Sequence, residues 1–144
     1  MSIERRGAAP KETSYGGVAV RGDEVLVIVP AGRHRITALP KGGASGEETG
    51  EQAAGREVRE ETGVTVDVQE PLGEVSYTYR RGGRRIRKTV HFYLCSFVSG
   101  STSDHDHEVE EARWISLQEA RTALTYPGER ELIDRALSKL TSGR

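Results

Sequence analysis

Residues 42–64 read GGASGEETGEQAAGREVREETGV, and the second half of this stretch, Arg56-Glu57-Val58-Arg59-Glu60-Glu61-Thr62-Gly63, decides the fold. Glu57, Glu60 and Glu61 stand at i, i+3 and i+4, positions that share one face of an α-helix. Carboxylates gathered there repel one another and weaken the helix, but clustered oxygens are what a hard divalent cation such as Mg2+ takes as ligands. A solvated acidic face is the ordinary use of such a run. The flanking residues argue against it. Thr49 and Gln52 form a T-x-x-Q capping box that starts a helix near Gly50, and Gly63 stands where a left-handed residue ends one. Ala53, Ala54 and Val58 supply an apolar stripe on another side. Leu39-Pro40-Lys41-Gly42-Gly43 reads as a strand end running into a glycine-rich loop, where bare backbone can approach a ligand. Gly55 is the weak point, costing about 1 kcal/mol relative to alanine unless close packing requires it.

The spacing of Gly42, Glu48 and Arg56-Glu57-Val58-x-Glu60-Glu61-x-Gly63-Val64 resembles the signature of the Nudix family, and the likeness runs from about Tyr15 to Leu140. The resemblance implies the α/β class: a Nudix α/β/α sandwich with a mixed β-sheet and the loop–helix motif. It also implies a phosphohydrolase that cleaves nucleoside diphosphates linked to another moiety. Mg2+, with Mn2+ as the alternative, would be held by Glu57, Glu60, Glu61 and the carbonyl of Gly42, and Arg56 would orient the carboxylates. In the family the general base often lies on a loop before the last strand. Within His107-Glu108-Val109-Glu110-Glu111-Ala112-Arg113-Trp114, register against Trp114 favours Glu108 as base and further metal ligand. Glu57 is the other contender for the base, and Glu110 and Glu111 read as solvated charges.

The 144 residues suffice for one domain with a real core. A formal net charge of −1 gives no overall pull towards nucleic acid or anionic membrane, so neither partner is expected, and a monomer or homodimer is. No apolar run approaches a membrane span, and the N-terminus MSIERRGAAPKETS lacks an apolar signal core. Cys95, the one cysteine, precludes an internal disulfide and fits a reducing, cytoplasmic setting. Its place in His91-Phe92-Tyr93-Leu94-Cys95 reads as a packed strand residue.

Residues 1–12 are polar and expected to be mobile, and residues 13–144 form the single Nudix domain. Strands are expected at 15–20 and 24–29 around the hairpin signal Arg21-Gly22-Asp23, then at 36–39, 65–68, 73–79, 84–97 and 112–115. Residues 98–107 read as a polar loop, and 117–123 and 128–140 as helices.

Arg80-Arg81-Gly82-Gly83-Arg84-Arg85-Ile86-Arg87-Lys88 carries a dense positive charge around a turn. Strand alternation puts Ile86, Lys88, Val90 and Phe92 on one face and Arg85, Arg87, Thr89 and His91 on the other. Lys88-Thr89-Val90-His91-Phe92-Tyr93-Leu94, Leu39-Pro40-Lys41-Gly42 and Leu124-Thr125-Tyr126-Pro127-Gly128 are similar to bacterial diadenosine-polyphosphate hydrolases of the Nudix type. That likeness makes Lys88 and Lys41 candidate phosphate ligands. Tyr77, Tyr79 and Tyr126 are candidates for stacking on a base, which needs a flat apolar partner. Many relatives carry a tryptophan where this chain has Thr37. Diadenosine polyphosphates are therefore the first substrate reading. Oxidised or other nucleoside triphosphates, ADP-ribose and diphosphoinositol polyphosphates stand as alternatives, and a nucleotide-binding sensor of the same fold as the non-enzymatic one. The complete glutamate set argues against the sensor.

Overall fold

The computed structural model describes residues 10–142. The elements are β1 (Lys11–Arg21), β2 (Glu24–Pro30), β3 (Lys41–Gly42), α1 (Gly50–Thr62), β4 (Val64–Arg81), β5 (Arg84–Gly100), β6 (Val109–Ser116), α2 (Leu117–Ala123) and α3 (Pro127–Ser142). The mobility expected of residues 1–9 lies outside the described residues, while Lys11 and Glu12 already belong to β1.

Five strands run in the order β4-β5-β1-β2-β6, with the short β3 paired to β1. β1 and β5 are parallel and the other pairings antiparallel, so the sheet is mixed. Phe92, Leu39, Val18 and Val27 pack against Leu132 and Ile133 of α3 on one face. Ala19, Leu26, Val64 and Cys95 pack against Val58 of α1 on the other. The result is an α/β/α sandwich whose sheet is covered on both sides, as layered packing of one-faced elements requires. Cys95 is buried, and burial pushes its thiol up to about 12, which suits a packing role. Among the described residues no helix is long and apolar enough to cross a membrane.

The structure departs further from the sequence reading elsewhere in the chain. Residues 36–39 form no strand: only Ala38 bridges Ile28, through bonds of 2.8 and 2.9 Å. A turn closed by Ile36 N–H on the Arg33 carbonyl precedes it, and Pro40 has no N–H to continue the ladder. The separate strands expected at 65–68 and 73–79 are one strand, β4, interrupted by register shifts at Thr65/Val66, Val68/Glu70 and Pro71/Gly73. Bulges absorb the proline that reads as a break. The loop expected at 98–107 begins later, because β5 runs to Gly100 against Val64, and a 3-10 turn covers Thr102–Asp104. The tight Gly82-Gly83 turn has φ of +58° and +77°, the geometry a two-residue hairpin demands. A Cβ on Gly55 would stand 3.4 Å from Val68 Cγ2, an ordinary contact distance, so close packing on β4 does not require glycine there.

Candidate active site

The capping box forms as its sequence implies. Gln52 N–H donates to Thr49 Oγ1 at 3.1 Å and Thr49 N–H to Gln52 Oε1 at 2.9 Å. Gly63, at φ 80°, ends α1 with its N–H on the Arg59 carbonyl. Helix, loop and β3 are thereby set so that bare backbone meets carboxylates. A Cβ added to Gly42 would fall on the Glu57 carboxyl, so no side chain but hydrogen allows that approach. Lys41 N–H donates to Glu61 Oε1 at 3.0 Å, tying β3 to the end of α1.

Arg56 sits at the centre. Its guanidinium grips both oxygens of Glu48, through Nε at 2.7 Å and Nη2 at 3.0 Å, and Nη2 also donates to the Gly43 carbonyl at 2.8 Å. Nη1 reaches Glu57 at 3.3 Å and Glu60 at 3.1 Å. The Arg56 bonds and a Ser45 N–H hold the Glu48 carboxyl down at about 2. Glu48 thus anchors the arginine, which in turn holds two carboxylates; the sequence signature includes Glu48 but does not disclose this role.

Glu61 behaves differently. Burial, opposed by Lys41 and reinforced by Glu57 and Asp106, pushes its carboxyl up to about 7. Burial also raises Glu57, with Arg56 opposing and the charges of Glu60 and Glu108 adding to the rise. Negative charge is therefore crowded here beyond what Arg56 neutralises, and a cation would relieve it. Among the described residues no three Asp, Glu, His or Cys side chains are close enough to enclose an ion, and Arg56 Nη1 occupies the space between Glu57 and Glu60. The hard oxygen donors and the bare Gly42 backbone nonetheless fit a divalent cation such as Mg2+ in kind. The residues able to hold one are Glu57, Glu60, Glu61 and the Gly42 carbonyl.

The loop before β6 closes over the same end of α1. Asp106 N–H donates to the Glu60 carbonyl at 2.9 Å, and Glu108 N–H to Asp106 Oδ1 at 3.1 Å. Glu108 is exposed at the rim, near enough for its charge to act on Glu57. Glu110 pairs with His34 and Glu111 with Arg113, consistent with solvated charges.

Beside this cluster lie two adjoining cavities of about 490 and 410 Å3. Lys41, Tyr77 and Tyr126 line both; Arg33, Tyr79 and Lys88 complete the larger, basic one. Lys88 is half-buried, and burial together with Lys41 lowers its pKa. Tyr77 and Tyr126 face each other with ring planes within 4° of parallel and centroids 6.5 Å apart. Tyr79 is less free, because its hydroxyl donates to Glu12 at 2.5 Å and Arg81 lies over its ring. Tyr126 also rests on the small cluster of Ile28, Ala38, Val109 and Ala112. At the position where relatives carry tryptophan, Thr37 exchanges two 2.9 Å bonds with Thr125, so this segment fixes the chain just before Tyr126. The smaller cavity is also lined by Glu129, whose carboxyl accepts Leu39 N–H at 2.9 Å and is pushed up to about 7 by burial. Nothing in the sequence marks Glu129 as buried; only the docking of α3 makes it so.

A family model described as NUDIX domain matches residues 11–136. A Mycobacterium tuberculosis (strain CDC 1551 / Oshkosh) protein that carries the mutator name MutT4 is 40% identical over 143 residues, covering 91% of this chain and 58% of that protein. The 8-oxo-(d)GTP phosphatase of Mycolicibacterium smegmatis is 31% identical over 114 residues, covering 79% of this chain and 34% of its own length. This chain thus spans only part of the curated relatives it matches. Among solved structures, a C. elegans Ap4A hydrolase binary complex superposes with a TM-score of 0.72 at 22% identity, over 90% of this chain and 98% of that one. Match, signature and architecture agree, and the chain belongs to the NUDIX domain family.

Proposed function

We propose that the protein is a Mg2+-dependent hydrolase, active also with Mn2+, that cleaves a pyrophosphate bond in nucleoside polyphosphates, with diadenosine polyphosphates as the first candidates. The observation that carries this reading is the parallel pair of Tyr77 and Tyr126 on the wall shared by the two cavities. Their centroids stand 6.5 Å apart, the spacing of an offset aromatic pair, which presents a flat apolar surface for a base to stack against. The pair adjoins the cavity lined by Lys41 and Lys88, and Lys41 N–H donates to Glu61 of the carboxylate cluster. A nucleotide with its base on these rings therefore has cations along its phosphates and the carboxylates next in line.

Glu57, Glu60, Glu61 and the Gly42 carbonyl would hold the ion, with Glu108 able to join them. When bound, the ion neutralises charge on the phosphoryl oxygens and makes water a better nucleophile. The chain supplies the rest. Arg56 keeps Glu57 and Glu60 in place, Lys41 and Lys88 neutralise and orient the phosphate chain, and Glu108 accepts the proton of the attacking water.

A second reading is a pyrophosphatase for oxidised nucleoside triphosphates. It is favoured by relatives named as a mutator protein and an 8-oxo-(d)GTP phosphatase. Initial rates on diadenosine tetraphosphate, oxidised dGTP, ADP-ribose and a diphosphoinositol separate the readings. Highest kcat/KM for the dinucleotide supports the first, and highest for oxidised dGTP replaces it with the second.

A further inference from the structure

The sheet face on the α1 side is not covered along its whole length. α1 begins against Tyr15 and Tyr93, to which a Cβ on Gly50 would come within 2.8 and 2.6 Å. β1, β4 and β5 continue past that point. Register puts Tyr15 beside His91 and His91 beside Glu74, then Thr13 beside Thr89 and Thr89 beside Ser76. The next row is Lys11, Arg87 and Thr78, and the hairpin adds Arg85 opposite Arg80. Alternation turns these side chains away from Tyr77, Tyr79 and Lys88, so the surface faces the other side of the sheet from the larger nucleotide cavity, and only Glu74 and Ser76 on the edge strand also border the smaller one.

Its chemistry is graded. At the α1 end, Tyr15 and His91 stack at 5.6 Å. A row of hydroxyls follows, with Ser76 and Thr89 bonded at 3.0 Å. Lys11, Arg80, Arg85 and Arg87 occupy the far end. The ion pairs of this region go to Arg81, with Glu12, and to His91, with Glu74. Among the described residues none of the four far-end cations pairs with a carboxylate.

Protection of the sheet edges accounts for only part of the arrangement. β4 is an edge strand, and β1 before Tyr15 pairs with β5 alone, so cations on both flanks can discourage pairing. Placing Arg85 opposite Arg80, and Arg87 opposite Lys11, also sets like charges directly across the ladder, which destabilises it. A polyanion laid across these rows removes that repulsion. Stacking rings at one end of an exposed sheet and a cationic groove at the other are the ingredients of single-strand recognition, and the row of hydroxyls between them suits the 2′-OH, which both donates and accepts.

We infer that the open face of β4, β5 and β1, from Tyr15 and His91 to Arg85 and Arg87, binds single-stranded RNA. The near-neutral net charge of the whole chain hides this because the cations are segregated. The test is fluorescence anisotropy of the full chain with a 5′-hydroxyl oligouridine, which offers no terminal phosphate chain to the nucleotide cavities, and with the DNA of the same sequence. Saturable binding is expected, several-fold tighter for RNA. Arg85→Ala/Arg87→Ala should weaken it about tenfold or more and reduce the salt slope by about 1.4, at about 0.7 per lost phosphate contact on a single strand. Turnover of a mononucleotide substrate should not change, nor should Tm fall, because opposed charges are removed. If the double variant does not fold, Thr78→Glu places a negative charge in the same row and should weaken RNA binding to a similar degree. Unchanged RNA affinity in the folded variant, or DNA bound as tightly as RNA, overturns the inference.

Discussion

Tyr77 and Tyr126 present their rings to each other within 4° of parallel at a centroid separation of 6.5 Å. That distance is the spacing of an offset aromatic pair, and the two rings together offer a flat apolar surface to a base. The two residues come from unrelated elements, the edge strand β4 and the turn opening α3, so the pair exists only because α3 docks on the sheet. Tyr77 is 41% exposed, whereas Tyr126 leans on Ile28 and Ala38. Tyr77→Ala is therefore the cleaner substitution. It should raise KM for dinucleotides roughly ten- to a hundredfold, from a stacking contact of about 1–3 kcal/mol, with Tm nearly unchanged. Tyr126→Ala should raise KM similarly and also lower Tm by several degrees. Loss of stability with intact nucleotide preference in both variants would mean that the rings only fill space.

Glu108 is expected to act as the base. Glu108→Gln should cut turnover by roughly 10²–10⁴-fold with KM little altered. Rates within tenfold of the parent would pass the role to Glu57.

The basic hairpin, continuous in sequence, has two faces with different surroundings. Lys88 lines the cavity with Lys41, while Arg85 and Arg87 point to the opposite side of the sheet. Lys88→Ala should then weaken binding more for longer polyphosphates than for short ones, and the difference should shrink with added salt. Equal losses for ADP-ribose and diadenosine tetraphosphate would show that Lys88 does not touch the phosphate chain.

Glu129 makes stability depend on pH. Burial raises its carboxyl from 4.5 to about 7, so the folded state holds the proton more tightly than the unfolded chain. The stability this gives is fully present below 4.5 and is lost as pH rises through about 7. Glu129→Gln, which keeps an acceptor for Leu39 N–H, should raise Tm at pH 8 relative to the parent and leave it nearly level at pH 4.5. Thermal melts across that range check the sign; a lower Tm at pH 8 in the variant would show that the ionised carboxylate stabilises the fold.

The helix and its carboxylates are legible in the sequence because local chemistry determines them. Thr49, Gln52 and Gly63 cap α1 as their types demand, and the i, i+3, i+4 spacing sets Glu57, Glu60 and Glu61 on one face. Alternation alone places Lys88 and Ile86 on the correct side of the sheet. What escapes depends on distant partners. Residues 65–68 and 73–79 look like two strands because Pro71 lies between them, yet β5 offers a continuous partner that tolerates bulges. Glu129 reads as one more helix-surface charge until α3 covers it against Leu39. The role of Glu48 emerges only with the guanidinium of Arg56, eight residues away, on both its oxygens.

The carboxylates gathered by α1 are proposed to run a metal-dependent pyrophosphate cleavage. The decisive measurement is turnover of diadenosine tetraphosphate by the parent protein and by Glu60→Gln, with chelator and with Mg2+ restored. The parent should be silent in chelator and recover with Mg2+ or Mn2+. Glu60→Gln should stay folded, since Glu60 is exposed and its one ion pair, with Arg56, is a surface pair of small worth, and should lose more than the roughly 10–100-fold that changes to outer-shell groups cost. Full activity in Glu60→Gln, or turnover that persists in chelator, would mean that these carboxylates do not hold a catalytic metal.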